Sequence, residues 1–185
     1  MTRLAIHELA GGQASGRTPL LATGDTKRIV AELARVGVRF ERWRASVVLA
    51  DDAGQDAVLA AYAADIERLK RERGYKSVDV VRMRPDHPDR KAARAKFLAE
   101  HTHDDDEVRF FVEGSGTFFL HLGELVYEIL CEKDDLLSVP GGTKHWFDMG
   151  ERPQFAAIRI FDTPDGWVAN FTGDRIADRF VGETT

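Results

Sequence analysis

The chain has 185 residues, 43% of them hydrophobic and 31% charged, with a formal net charge of −5. That balance predicts one soluble domain with a real core and argues against a disordered or fibrous chain. The acidic sum and the lack of a long basic run argue against a nucleic-acid partner, and no stretch approaches the roughly 18 apolar residues of a membrane span.

The opening segment MTRLAIHELAGGQASG lacks the long apolar run of a signal peptide. The one cysteine, Cys131, rules out an internal disulfide and reads as a small buried side chain within LVYEILC. Both features predict a reducing, cytoplasmic setting, and an acidic single-domain chain is expected to be a monomer.

Residues 24–37, GDTKRIVAELARVG, place Ile29, Val30, Leu33 and Val36 at helical spacing. Asp25 or Thr26 can cap this helix and Gly37 can end it. VRFERWRA (38–45) alternates and predicts a strand. Residues 53–74 repeat the helical pattern, with Val58, Leu59, Tyr62, Ile66 and Leu69 on one face and Gly74 at the stop. The ERLKRER run there reads as a solvated face with charge pairs. VDVVRM (78–83) predicts a strand, and PDHPDRKAARAKFLAEH a short helix after its prolines.

From residue 107 the apolar period becomes two. EVRFFVEG, GTFFLHLG, ELVYEILC, DLLSVP, TKHWFDM and QFAAIRIF are six strand candidates, separated by GSG, GE, EKD and PGG. GSG (114–116) reads as a hairpin turn, since no helix follows it to make a phosphate loop. Closely spaced strands with short turns predict a mainly β fold. An antiparallel barrel or sandwich with a few flanking helices fits better than a parallel sheet. One domain then spans residues 1–185, with a mixed α/β part over 1–95 and a barrel core over about 96–173.

Chemistry concentrates in two segments of this barrel. HTHDDDE holds His101, His103 and Glu107; PGGTKHWFDMG holds His145, 38 positions beyond Glu107 (145 minus 107). Imidazoles with a carboxylate suit a divalent transition metal. His101 and His103 are two apart, so an extended strand points both the same way, and Glu107 and Arg109 share that parity. An antiparallel barrel can bring the His145 strand alongside. Three neutral imidazoles and one carboxylate leave a divalent ion with a net charge of +1 and two free positions on an octahedron, suited to a chelating anion or an anion plus dioxygen. Arg109 would add a second fixed positive charge. HTHDDDE taken alone also fits a solvated acidic loop, and it is the second segment that favours a metal. His121, in FFLHLG, reads as packed or surface-facing.

The two segments resemble the cupin motifs. His101, His103, Glu107 and Gly114 fit H-x-H-x(3)-E-x(6)-G, and Pro140, Gly142 and His145 fit P-x-G-x(2)-H. Ala95 and Asp134 stand where those motifs open with glycine, and Met149 where asparagine is usual. More narrowly, the chain resembles the acireductone dioxygenases of methionine salvage. The likeness is carried by GVRFERW (37–43), AYAADIERLK (61–70), GYKSVDVVRMRPDHP (74–88), KFLAEHTHDDDEVRFFVEGSGTFFLH (96–121), DLLSVPGGTKHWFDMG (135–150) and GWVANFTG (166–173).

This resemblance implies a cupin-type, jelly-roll-like barrel and one Fe(2+) or Ni(2+) per chain, held by His101, His103, Glu107 and His145. It implies that Arg109 generates or holds a substrate dianion, that Glu100 serves metal incorporation and that Asp106 relays local conformational change. It also implies that Phe97, Phe147 and Trp167 line the substrate pocket, positions that without the family read as core packing. The implied partners are acireductone, 1,2-dihydroxy-5-(methylthio)pent-1-en-3-one, and O2. Iron would give formate and 4-methylthio-2-oxobutanoate; nickel would give formate, carbon monoxide and 3-(methylthio)propanoate. Another metal cupin, such as an oxalate oxidase or decarboxylase, and a non-catalytic small-molecule-binding cupin are the competing readings.

Overall fold

The computed structural model describes residues 1–9, 18–164 and 167–180. Chain order is β1 (Arg3–Glu8), β2 (Leu21–Thr23), α1 (Thr26–Ala34), β3 (Arg39–Arg42), α2 (Gln55–Ala61), α3 (Ala63–Arg73), β4 (Ser77–Met83) and α4 (Arg90–Leu98). There follow β5 (His101–Thr102), β6 (Glu107–Leu122), β7 (Leu125–Glu132), β8 (Asp135–Val139), β9 (Lys144–Asp148), β10 (Phe155–Phe161), β11 (Asn170–Phe171) and a 3₁₀ turn, Ile176–Arg179.

Every strand pairing is antiparallel. One sheet runs β11-β5-β9-β6-β7-β1-β2, and the other β3-β8-β6-β10-β4. β6 belongs to both. Its first half, from Glu107, pairs with β8 and β10, and its second half, to Leu122, pairs with β7 and β9.

The GSG segment is therefore not the hairpin turn its composition predicts. It lies inside one 16-residue strand at the point where that strand changes sheets. The register against β10 slips between Ala156 and Ala157, a bulge that bends β6. Gly114 makes the bend possible: its φ is +63°, and a Cβ there would lie 1.7 Å from the Gln154 carbonyl oxygen. Turn-forming residues served here to curve a strand.

Two other expectations change in detail. The helix predicted over 53–74 is two helices, broken at Tyr62, where φ is −115°. Tyr62 is buried edge-on to Phe110 at 5.6 Å and its hydroxyl donates to the Val47 carbonyl, so packing on the barrel overrides the helical period. The strand predicted over 38–45 shortens to Arg39–Arg42. β1 and β2 form from a segment with no evident strand signal; β1 completes six pairs along β7. The α1 boundaries follow the chemistry foreseen: the Asp25 carboxylate accepts from the Arg28 N–H, and Gly37 is left-handed at φ +77°.

The main core fills the space between the sheets, built from Phe111, Phe118, Phe147, Phe155, Leu137 and their neighbours. A second apolar cluster joins α2 and α3 to the outside of the β6-β10 sheet through Tyr62, Ile66, Leu69, Phe110 and Ile158. A third seats the 3₁₀ turn on Phe119 and Trp146. No helix among the described residues is long and apolar enough to cross a membrane.

Candidate metal centre

The short β5 and the β9 strand lie side by side, and their pairing sets His101 directly opposite His145. His103 follows two residues after His101, on the same face. The three imidazoles are buried, and their ligand-competent nitrogens all lie within 4.8 Å of one another. Glu107 opens β6, after the turn at Asp104–Asp105. Its Oε2 is 2.7 Å from His103 Nε2 and 3.6 Å from His145 Nε2.

Each ring is held by its other nitrogen. Nδ1 of His101 donates to the Ala99 carbonyl at 2.7 Å and Nδ1 of His145 to the Thr143 carbonyl at 2.8 Å. Nδ1 of His103 donates to the Val168 carbonyl. A backbone carbonyl can only accept, so it keeps the proton on Nδ1 and leaves the Nε2 lone pair free. Nε2 of all three histidines and Oε2 of Glu107 are buried with no hydrogen-bond partner among the described residues. Close approach without hydrogen-bond alignment is what lone pairs aimed at one centre produce. Four orphaned buried acceptors would be costly in any other use, and a divalent cation satisfies all of them.

The electrostatics agree. Burial drives His101 down to about 3, helped by His145, so its ring stays neutral. Burial alone would raise Glu107, but the Arg109 charge, with His103 and His145, outweighs it and holds the carboxyl well below its ordinary value. His103 is pushed down by burial and pulled up more strongly by Glu107.

The two segments are latched together by backbone contacts. Gly142 N–H donates to the His103 carbonyl at 2.8 Å, and a Cβ on Gly141 would lie 2.7 Å from the Asp104 carbonyl oxygen. The PGG turn thus needs glycine to pack this close to HTHDDD.

A model of the ARD/ARD′ family matches residues 16–169. A protein of Parvibaculum lavamentivorans named acireductone dioxygenase is 62% identical over 180 residues, covering 97% of this chain and 96% of its own. The chain belongs to the acireductone dioxygenase family. Another such dioxygenase, of Pseudomonas aeruginosa, is 60% identical over 162 residues, 88% of this chain and 90% of that one. A solved acireductone dioxygenase from Bacillus anthracis, with a cadmium ion in its active centre, superposes with a TM-score of 0.77. It is 30% identical and covers 92% of this chain and 98% of its own.

The remaining positions singled out from the acireductone dioxygenase resemblance fall into two groups. Arg109, Phe97, Phe147 and Trp167 form one contact network that meets the histidines through Trp167 and Glu107 through Arg109. The Arg109 Nε donates to Glu107 Oε1, its Nη1 is buried and unpartnered among the described residues, and its guanidinium lies 5.0 Å from Phe118 and 5.1 Å from Phe147. Phe97 is edge-on to Phe147 at 6.2 Å and to Trp167 at 5.8 Å. Trp167 packs 5.6 Å from both His101 and His103.

Glu100 and Asp106 do not join them. The Glu100 carboxylate takes the His121 Nδ1 at 2.7 Å and the Thr172 hydroxyl at 2.7 Å. Asp106 accepts from the Gly141 N–H at 3.0 Å and pairs with Arg73 at 3.4 Å. Asp106 is therefore a clasp between the two histidine-bearing segments, and Glu100 fixes the strand beside His101. The pattern of the sequence missed Val168, because a carbonyl acts there and any residue supplies one. It also missed Asp148, whose bidentate pair with Arg94, at 2.8 and 2.9 Å, pins β9 to α4.

Proposed function

We propose that His101, His103, Glu107 and His145 hold one Fe(2+) or Ni(2+), and that the chain uses it to cleave acireductone with O2 in methionine salvage. The observation carrying this reading is the convergence of four buried, unpartnered acceptor atoms, in a chain of this family. The bound metal supplies Lewis-acid polarisation and a template for an enediolate and O2. Iron is expected to yield formate and 4-methylthio-2-oxobutanoate. Nickel is expected to yield formate, carbon monoxide and 3-(methylthio)propanoate.

The chain's own residues do the rest. Arg109 Nη1 is buried with no partner among the described residues and so is available to a substrate oxygen, and the fixed guanidinium favours the dianion. Phe97, Phe147 and Trp167 wall off water and offer apolar surface to the methylthio end. Glu100 and Asp106 act at one remove, by holding the ligand segments.

The chain is expected to act as a monomer. The sheet shared by β3, β4 and β6 ties the first half to the barrel and supports a single cupin domain. The lone, buried Cys131 supports a reducing cytoplasmic setting. Titration of metal-free protein with Ni(II) tests the ligand set: one ion per chain is expected, with binding lost in His145→Ala. Undiminished binding by that variant would contradict it.

A further inference from the structure

Trp167 stands beside two of the three histidines, and two cations stand over its indole. Lys96 Nζ lies 4.6 Å from the ring centroid and Arg159 Cζ 5.5 Å. They arrive from different elements, Lys96 from the last turn of α4 and Arg159 from the middle of β10. Arg159 is itself fixed, 8% exposed and bidentate to Asp79 at 2.7 and 2.6 Å.

The neighbour of Trp167 is Val168, the residue whose carbonyl accepts the hydrogen bond from His103 Nδ1. Residues 167–169 have no regular structure, and the Val168 side chain is largely exposed. Among the described residues no sheet ladder or apolar burial holds that carbonyl itself; strand pairing resumes two residues later, at Asn170. The indole of the preceding residue is packed against His101 and His103, and an indole face attracts cations.

We propose that Lys96 and Arg159 are positioning residues. They clamp the Trp167 indole so that the Val168 carbonyl keeps His103 in the tautomer with Nε2 free for the metal. This rests on the assignment of His103 as a ligand. The effect reaches the metal only through a side chain, a peptide and a hydrogen bond, so it appears as faster metal loss rather than a missing site.

The test measures release of Ni(II) from loaded protein into excess chelator. Lys96 is exposed, so Lys96→Met leaves folding intact. It should speed release by roughly three- to tenfold, Arg159→Met should act in the same direction, and Lys96→Arg should match wild type. In a Trp167→Leu background, Lys96→Met should add nothing. Unchanged release in Lys96→Met, or the same acceleration without Trp167, overturns the clamp. Wild-type protein that takes up no Ni(II) overturns the ligand assignment instead. The clamp is then judged by Trp167 emission, taken by difference against Trp167→Phe. A red shift in Lys96→Met supports it, and unchanged emission overturns it.

Discussion

His101 and His145 face each other as direct partners across β5 and β9, with ring centroids 4.5 Å apart. Glu107 completes the group from a third strand, and the Arg109 guanidinium stands behind its carboxylate. The histidine cluster, the carboxylate charge and the arginine placement are thereby a single construction.

Glu107→Ala removes the only anionic atom of the four. It should abolish tight binding of Fe(II) or Ni(II), measured as metal per chain after gel filtration, while the fold persists. Near-stoichiometric metal in the purified variant would contradict the ligand set.

Arg109 holds the Glu107 carboxyl down, so its loss must let that carboxyl rise. Arg109→Met should still bind metal at mildly alkaline pH but release it at a higher pH than wild type as the solution is acidified. Turnover should fall by at least about a hundredfold even when the site is loaded, the scale for losing one preorganised electrostatic donor. Wild-type activity in the loaded variant would remove Arg109 from the mechanism.

The metal-free protein carries its own pH signature. His101 is held near 3 when folded, against an ordinary 6.5. Between those values the unfolded chain binds a proton that the folded chain refuses, so this group lowers stability as pH falls through that window. Thermal unfolding of metal-free wild type should show a steeper loss of Tm on acidification from about 6.5 than His101→Gln does. Parallel curves would show that His101 does not stay neutral.

Gly116 lies against the Phe147 ring from the neighbouring strand. A Cβ there would come within 2.3 Å of the Phe147 ring. Gly116→Ala should cost about 1–3 kcal/mol of stability and raise KM more than it lowers kcat, since the displaced ring stands beside Arg109. Gly114→Ala is harsher, because the clash is with backbone and φ is positive. It should destabilise by more than about 3 kcal/mol. A near-neutral Gly114→Ala in chemical denaturation would contradict the account of the bent strand.

Much of this was legible from spacing. The shift to a two-residue period marked the barrel strands, and the parity of His101, His103, Glu107 and Arg109 put their side chains on one face. The PGG turn before His145 announced the strand that sets this residue opposite His101. What stayed hidden depends on contacts that leave no local pattern. Gly114 and Gly116 look like turn residues because turns and strand bends ask for the same left-handed freedom or lack of bulk. Tyr62 fits a helical face, yet its burial against Phe110 breaks the helix. β1 has no alternating signal, because neighbouring residues of the strand are buried on both faces. The carbonyls of Ala99, Thr143 and Val168, which set the histidine tautomers, are invisible to any reading of side chains.

The most direct test is oxygen-dependent loss of acireductone by protein loaded separately with Fe(II) and Ni(II), with products identified. Loss well above the spontaneous rate is expected with both, giving 4-methylthio-2-oxobutanoate with iron and carbon monoxide with nickel. No acceleration by protein shown to contain either metal would contradict it, leaving a cupin metal site with a different substrate.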